Sequence, residues 1–432
     1  MNKIMQYSLY YFIILLLSLK CINLQTISIP FKRILSPDLT EENFYSNYEN
    51  NKIYTTLKLG TPPQEINVQI KMLQYSLCVR NNSIYKNDSS STYKKNGKEF
   101  SSYNIDYYRA ISSNESFIIG NENKILSDAK FMLTTNTKYD SDGILGLQIH
   151  ENNYLTYGHG LVSQLKLRNI INKEIFFFNF SSSNEDGELI IGDYPHLIDK
   201  FSDKYKKNQL ETTGIHIPSL DILYNLLFRS VFWDGKEIET MIIGSFNIEH
   251  GYIIGSKYFE DTVYSFFRDH MVKKKCKREE VNVLYNAYIC DEYDGLKIES
   301  FPNLIFYNSD TNFNLTVTYR DLFIKKGNKI YFMVVFDKRG YNVQWTLGSI
   351  LLKSNMIIFD MDKRVIGFYD ENSPKYKKEK LNMTLYIVGI CVAGVIIIGL
   401  IVFIIYKFVC KKKPKKAFEL NEDYDYSTAI NN

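Results

Sequence analysis

Several motifs that would assign an enzyme class directly are missing from the sequence. None of the six histidines takes part in a His-Glu-x-x-His pair, and neither a Gly-x-Ser-x-Gly turn nor a phosphate-binding loop occurs. These motifs would hold zinc, present a nucleophilic serine and cradle a nucleotide, respectively. The sequence therefore predicts no metal and no cofactor, and it gives no support to these three classes of enzyme.

A strong excess of one charge is also lacking. The chain has 52 Lys and Arg against 48 Asp and Glu, a net charge of +4. Much of this small excess lies near the carboxyl end, so nothing favours a nucleic-acid partner. Hydrophobic residues make up 45% and aromatic residues 15% of the chain. This composition excludes a disordered stalk, because it supplies enough apolar surface to build a core.

Long apolar runs are limited to two segments, one near each end of the sequence. Residues 9–19 follow Lys3 and are too few to span a bilayer, which is typical of a secretory signal peptide over residues 1–24. Cleavage is expected between Lys20 and Gln25. A retained signal anchor is the alternative, and the short run disfavours it.

The second apolar segment, residues 385–406, has no charged residue and is long enough to cross a hydrocarbon core of about 30 Å. Basic residues follow at once (Lys407 and residues 411–416), as expected on the cytoplasmic side of a membrane helix. A buried core helix is the alternative. The sequence thus predicts a single-pass type I membrane protein with a cytoplasmic tail, residues 407–432. Its large domain would be lumenal or extracellular, in the endoplasmic reticulum, an endosomal or vacuolar membrane, or the plasma membrane.

Cysteines are few, six in all, and only three lie between the two apolar segments. We predict that Cys276 and Cys290 are bridged across a short loop, which leaves Cys78 as a free structural thiol. Cys410 borders the membrane segment and is either a palmitoylation site or an unmodified cysteine. Asn-x-Ser/Thr sequons, the acceptors of N-linked glycans, occur at Asn81, Asn87, Asn114, Asn179, Asn314 and Asn382.

The region between the apolar segments has the pattern of short strands with few helices. Strands are predicted at residues 54–59, 66–70, 174–180, 188–191, 329–336 and 356–359, where apolar and β-branched residues alternate or cluster. Helical spacing is found only at residues 160–167 and 258–271. This pattern predicts a mainly all-β fold.

Eight short blocks, in the same order and spacing, resemble the pepsin family of aspartic proteases. They include Gly60-Thr-Pro-Pro-Gln64, Ser90-Ser-Thr-Tyr93, Asp142-Gly-Ile-Leu-Gly-Leu147, Asp186-Gly-Glu-Leu-Ile-Ile-Gly192 and Trp345-Thr-Leu-Gly348. The resemblance extends from about residue 29 to about residue 370. It implies two β-rich lobes, residues 51–200 and 201–375, with a peptide-binding cleft between them. A short prosegment-like stretch, residues 25–50, precedes them, and a membrane anchor after the second lobe is similar to the anchored branch of the family.

The family's two catalytic motifs are not present. The family hydrolyses peptides with two aspartates, one in an Asp-Thr/Ser-Gly turn of each lobe, which share a proton because they lie too close to ionise together. Neither tripeptide occurs in this sequence. Alignment from Gly60 without gaps places Lys71 at the first aspartate, followed by Met72 and Leu73.

The second position has two alternative alignments. Counting back from Gly255 places Phe246 there, and a small deletion places Glu249 there instead. If Glu249 holds the position, we expect an ion pair between Lys71 and Glu249 across the lobes. The family's flap tyrosine corresponds best to Tyr107, although both flap glycines are missing and Tyr107 is alternatively an ordinary strand residue.

The leading hypothesis is a non-catalytic, pepsin-like membrane glycoprotein that binds peptides or protein partners through a retained cleft. The first alternative is an active aspartic endopeptidase of the secretory pathway with a rearranged carboxylate pair. The second alternative is a structural surface glycoprotein with a closed cleft. The sequence names neither the partner nor the oligomeric state.

Overall fold

The computed structural model describes most of the region between the two apolar segments. The described residues are 26–34, 40–49, 52–74, 77–82, 84–101, 109–134, 141–148, 160–181, 186–216, 224–339 and 344–370. The chain divides into two compact units, Met1–Ser373 and Pro374–Asn432. The second unit lies wholly outside the described residues, as do the predicted signal peptide, membrane helix and tail. Among the described residues, no helix has the length and apolar content needed to cross a membrane.

Two large sheets organise the first unit. One sheet has 13 strands in the order β11-β24-β23-β9-β10-β1-β2-β3-β8-β4-β7-β6-β5. Their bounds are β1 (Ile27–Ile34), β2 (Lys52–Leu59), β3 (Gln64–Lys71), β4 (Leu77–Arg80), β5 (Lys94–Ser101), β6 (Arg109–Ile119), β7 (Lys124–Thr134), β8 (Gly143–Gly146), β9 (Ile175–Phe180), β10 (Asp186–Ile191), β11 (Leu210–Gly214), β23 (Ile357–Asp360) and β24 (Val365–Tyr369). Most of these strands belong to the predicted N-terminal lobe.

The second sheet is built from the predicted C-terminal lobe. Its 11 strands follow the order β18-β17-β12-β13-β22-β14-β21-β16-β20-β19, with β15 paired to β16 off this path. Their bounds are β12 (Asn225–Trp233), β13 (Lys236–Phe246), β14 (Ile253–Gly255), β15 (Cys276–Glu280), β16 (Tyr285–Asp291), β17 (Leu304–Asn308), β18 (Phe313–Val317), β19 (Phe323–Lys326), β20 (Lys329–Phe332), β21 (Val334–Asp337) and β22 (Gln344–Leu347).

Helices are short and few in the described part of the chain. They are α1 (Phe44–Glu49), α2 (Leu161–Leu167), α3 (Asp199–Ser202), α4 (Lys257–Val272), α5 (Tyr319–Leu322) and α6 (Ser349–Ser354). The longest, α4, begins at Ser256, whose hydroxyl accepts a hydrogen bond from the Phe259 N–H, as expected of an N-cap. The mainly β architecture predicted from the sequence is confirmed, and so are the two predicted helices.

One strand prediction was wrong in detail. The apolar run 329–336 forms two strands, β20 and β21, with a break at Met333. The Met333 N–H leaves the ladder and donates to Leu322 O at 2.7 Å. The residue at the break, Met333, is apolar and fully buried like its neighbours. The sequence therefore has no polar residue that would mark the break.

The prosegment-like stretch is an integral part of the fold. Strand β1 lies inside the first sheet, paired on one side with β10 and on the other with β2. Helix α1 packs on the second lobe, where the Phe44 ring stacks on Tyr331 with centroids 3.6 Å apart. The Tyr45 hydroxyl lies 2.8 Å from the carbonyl oxygen of Phe332 and 3.0 Å from that of Tyr288. The stretch therefore connects the two lobes.

Candidate functional site: the equivalent strand ends of the two lobes

In the N-terminal lobe, the candidate site begins at the carboxyl end of β3. Strand β3 runs parallel to β8, and the register places Lys71 opposite Gly146. The Leu147 N–H donates to Lys71 O at 2.9 Å, which continues the ladder by one residue. The side chain of Lys71 is 18% exposed, so its ammonium lies at a half-buried position.

The C-terminal lobe repeats this arrangement with β13 and β22. These strands are also parallel, and Phe246 lies opposite Leu347, the residue before Gly348. The Asn247 N–H donates to Leu347 O at 3.0 Å. In the first lobe, the residue before Gly146 is Leu145, and it lies opposite Ile70. Phe246 is therefore equivalent to Ile70, and Asn247 is equivalent to Lys71.

A second pair of strands gives the same equivalence. Cys78 of β4 lies opposite Ile144, and Ile254 of β14 lies opposite Thr346, each in antiparallel pairing. Ile144 and Thr346 both stand two residues before the glycine of their lobe. Cys78 is therefore equivalent to Ile254. Cys78 follows Lys71 by seven residues, and Ile254 follows Asn247 by seven residues. This equal interval agrees with the equivalence of Lys71 and Asn247.

This register departs from both alignments considered for the second lobe. The residue equivalent to Lys71 is Asn247, one position after Phe246 and two before Glu249. Phe246 is fully buried and packs against Phe359, with ring centroids 5.9 Å apart. The count back from Gly255 therefore went one residue too far. The equal seven-residue interval in the two lobes is the sequence signal that would have identified Asn247.

Glu249 nevertheless approaches Lys71 as expected. Its Oε2 lies 3.5 Å from Lys71 Nζ, and its side chain is 22% exposed. Glu249 reaches this point from the loop after β13, where its backbone N–H donates to Asn247 Oδ1 at 2.9 Å. The predicted ion pair is thus present, but Glu249 occupies the third position of the motif and not the first.

The remaining motif positions are apolar or enlarged in both lobes. Met72 and Ile248 follow the two site positions, and both side chains are fully buried. Each of these two equivalent positions therefore carries a hydrocarbon or thioether side chain with no hydroxyl group. Leu73 and Glu249 stand in the place of the two glycines.

Helix α1 covers the loop that follows Asn247. The Gly251 N–H donates to Tyr48 O at 2.7 Å. A Cβ at Gly251 would lie 2.6 Å from both the Tyr48 ring and the Arg33 guanidinium, so only glycine permits this approach. Arg33 in turn lies over the Tyr48 ring, 4.5 Å from its centroid.

His250 lies in the same loop, at its contact with helix α1. Burial lowers the pKa of its imidazole below the ordinary value, while a hydrogen bond with the backbone of Glu49 acts in the opposite direction. The ring stacks on Tyr252, with centroids 5.9 Å apart. The loop 247–251 therefore carries one half-buried carboxyl group, one amide and one imidazole whose pKa is lowered by burial.

The predicted cysteine pairing is confirmed. Cys276 and Cys290 lie opposite each other in β15 and β16 and form a disulfide. Cys78 is free and buried, and burial raises the pKa of its thiol to about 12. A thiol in this state is a poor nucleophile, as expected of a structural cysteine.

The six sequons differ in their surroundings. Asn81 and Asn314 are exposed, whereas Asn87 and Asn179 are half-buried. Asn114 is only 9% exposed, and its Oδ1 accepts a hydrogen bond from the Asn96 amide. Asn382 and the flap candidate Tyr107 lie outside the described residues. No group of acidic, histidine or cysteine residues suited to a metal ion occurs in the ranges that the structure describes.

A groove of about 1070 Å³ lies away from the equivalent strand ends. Its lining includes Pro30, Lys32, Tyr54 and Glu188, which belong to the neighbouring strands β10, β1 and β2. Lys71, Asn247 and Glu249 do not line it, so this groove is distinct from the candidate site.

The sequence comparisons match one region of the chain to a known family. No curated protein matches the chain. Residues 52–216 match the family model described as eukaryotic aspartyl protease. The matched residues include Lys71 and its ladder partner Gly146. This part of the chain is therefore similar to the pepsin-like aspartyl protease domain.

Proposed function

We propose that this protein is a non-catalytic, pepsin-like membrane glycoprotein that binds a peptide or protein partner in the cleft between its lobes. The observation that carries the proposal is the identity of the two equivalent residues, Lys71 and Asn247. Neither side chain is a carboxyl group, and neither can share a proton with the other as two aspartates do.

Glu249, the carboxylate that pairs with Lys71 among the residues that the structure describes, does not replace the two missing aspartates. Glu249 Oε2 lies beside the Lys71 ammonium, 3.5 Å from Nζ, and forms an ion pair with it. Aspartic protease chemistry needs one carboxylate to activate water and one carboxylic acid to polarise the scissile carbonyl. One carboxyl group beside a lysine supplies at most one of these two groups.

Binding in the cleft is supported by the backbone that remains. Both lobes keep the parallel ladders, β3 with β8 and β13 with β22, that place the two site positions at equivalent strand ends. Lys71 and Glu249 then join the lobes at the point where catalysis would take place. The framework for holding an extended peptide is therefore retained while the reacting groups are replaced.

The structural alternative is favoured by one specific observation. Helix α1 contacts the loop after Asn247 through Gly251 and Tyr48, so part of the second lobe's site is covered by the chain itself. A protein whose cleft is filled in this way would serve as a surface module with no peptide ligand. Binding measurements separate this alternative from the leading proposal.

The test is to incubate the purified protein with a library of unstructured peptides between about pH 3 and pH 7, following both cleavage and binding. We expect binding without cleavage. Glu249→Gln is the variant for the site, and Glu65→Gln, whose side chain is 66% exposed, is its matched control. Cleavage that is lost in Glu249→Gln but kept in Glu65→Gln would overturn the proposal. The absence of both cleavage and binding would favour the structural alternative.

A further inference from the structure

Five strands end the sheets in the described part of the chain. They are β5 and β11 in the first sheet, and β15, β18 and β19 in the second. A strand at the edge of a sheet presents unpaired N–H and C=O groups, which invite pairing with a strand of another molecule. Proteins protect such edges with charged residues, proline or a covering element.

Four of these five edge strands contain charged residues. Strand β5 carries Lys94, Lys95, Lys98 and Glu99, β11 carries Glu211, β15 carries Lys277, Arg278, Glu279 and Glu280, and β19 carries Lys325 and Lys326. Strand β18 reads Phe-Asn-Leu-Thr-Val and has neither a charge nor a proline. It alternates buried and solvent-facing residues regularly, as a strand suited to further pairing does.

A sequon lies at the centre of this uncharged edge. Asn314, Leu315 and Thr316 form it, and Asn314 is exposed while Leu315 is fully buried. Asn314 lies directly opposite Tyr307 of β17, at a distance at which side chains on the same face make contact. The Tyr307 hydroxyl is turned towards Asn312, to which it donates at 3.1 Å. The tyrosine ring thus provides an aromatic surface beside Asn314.

We propose that Asn314 carries an N-linked glycan and that this glycan shields β18 from pairing with another chain. The inference requires entry into the secretory pathway but is independent of the loss of catalysis. In the modifying step, Asn314 Nδ2 forms a bond to the anomeric carbon of a lipid-diphosphate-linked oligosaccharide. The bond from that carbon to the lipid diphosphate breaks, and Nδ2 loses one proton.

The position of Asn314 on the edge strand distinguishes it from other sequons as a shield of β18. An added strand would lie about 4.8 Å beyond β18, well within the reach of a glycan that rises from its exposed face. Asn179 lies on β9, which has β10 and β23 on its two sides, and Asn114 is buried in the β6 ladder. Glycans at those positions would leave the β18 edge uncovered.

Two substitutions at Thr316 distinguish the effect of losing the glycan from the effect of adding a charge to the edge strand. Thr316→Val and Thr316→Lys both remove the sequon, but only Thr316→Lys introduces a charge at the edge. The full chain is produced in a secretory host, site occupancy is read by mass spectrometry of the glycopeptide, and size is measured by light scattering. Asn81→Gln removes an exposed sequon away from β18 and is the control.

We expect occupied Asn314 in the wild type. Thr316→Val should associate further as its concentration rises, whereas Thr316→Lys and Asn81→Gln should behave like the wild type. Trimming of the glycan on the folded wild type by an endoglycosidase, which leaves one sugar on an uncharged Asn314, should cause the same association, and this guards against a folding defect in Thr316→Val. An unoccupied Asn314, or deglycosylated protein that associates no more than the wild type, would overturn the inference.

Discussion

Lys71 Nζ of the N-terminal lobe lies 3.5 Å from Glu249 Oε2 of the C-terminal lobe, and the two side chains are 18% and 22% exposed. The two residues stand 178 positions apart in the chain. Their contact therefore joins the two lobes at the equivalent ends of β3 and β13. An ion pair that is mostly shielded from water couples more strongly than one on the surface, because solvent screens it less.

The first prediction concerns this coupling. In a double-mutant cycle with Lys71→Met and Glu249→Gln, we expect a coupling of about 1 kcal/mol in the free energy of unfolding, measured by denaturant titration. The matched control is the pair Lys58 and Glu65, 3.4 Å apart but 42% and 66% exposed, for which the coupling should be smaller. Equal coupling free energies for the two pairs would contradict the prediction that the ion pair between the lobes is stronger than an exposed one.

The second prediction concerns helix α1. Phe44 is fully buried and stacks on Tyr331, so Phe44→Ala should lower the free energy of unfolding by about 3 kcal/mol. Glu42 precedes the helix and is exposed, and Glu42→Ala should change it by less than about 0.5 kcal/mol. Similar values for the two variants in denaturant titrations would mean that α1 is not docked on the second lobe.

Much of the fold could be predicted because strands leave a local pattern. The alternation in residues 54–59 and the helical spacing in residues 258–271 correspond to β2 and α4 with small shifts at the ends. The break at Met333 left no such pattern, since it depends on a backbone hydrogen bond to Leu322, eleven residues earlier in the chain.

The candidate site, too, could be predicted from the sequence only in part. Lys71 was identified because the turn at Gly60 fixes its distance along one hairpin, β2 with β3. Asn247 was missed because the count from Gly255 was wrong by one residue, and the error became visible only from the register between β13 and β22, about a hundred residues apart in the chain. The docking of α1 also depends on long-range packing, which local periodicity does not encode.

The third prediction concerns the thiols. Burial raises the pKa of Cys78 to about 12, so the reactive thiolate is scarce at neutral pH. In the native protein, iodoacetamide should label none of Cys78, Cys276 and Cys290. In denaturant without reductant it should label Cys78 alone, and after reduction all three, as read by peptide mapping. Rapid native labelling of Cys78 would contradict the buried position.

The fourth prediction is a loss of stability as the pH falls below about 6.5, the ordinary pKa of histidine. Burial is the main cause that lowers the pKa of His250, and the same holds for His196 and His270. Above this pH, both the folded and the unfolded chain hold these rings neutral, so stability is fully present. Below it, the unfolded chain takes up protons first, and the free energy of unfolding falls.

His250→Gln tests this loss at the α1 contact. The variant should have a shallower dependence of the unfolding free energy on pH between about 6.5 and 5, because one proton less is taken up on unfolding. Burial raises the pKa of Glu174 and Glu239, so these carboxyl groups increase the free energy of unfolding as the pH falls, opposite to the histidines. The informative quantity is therefore the difference between the wild-type and variant profiles.

His196→Gln should make a separate, additive difference, since His196 contacts Tyr369 in the other sheet. A His250→Gln profile parallel to that of the wild type would show that His250 titrates alike in both states. A shallower profile would instead link protonation of His250 to weaker docking of α1 on the loop that carries Asn247 and Glu249.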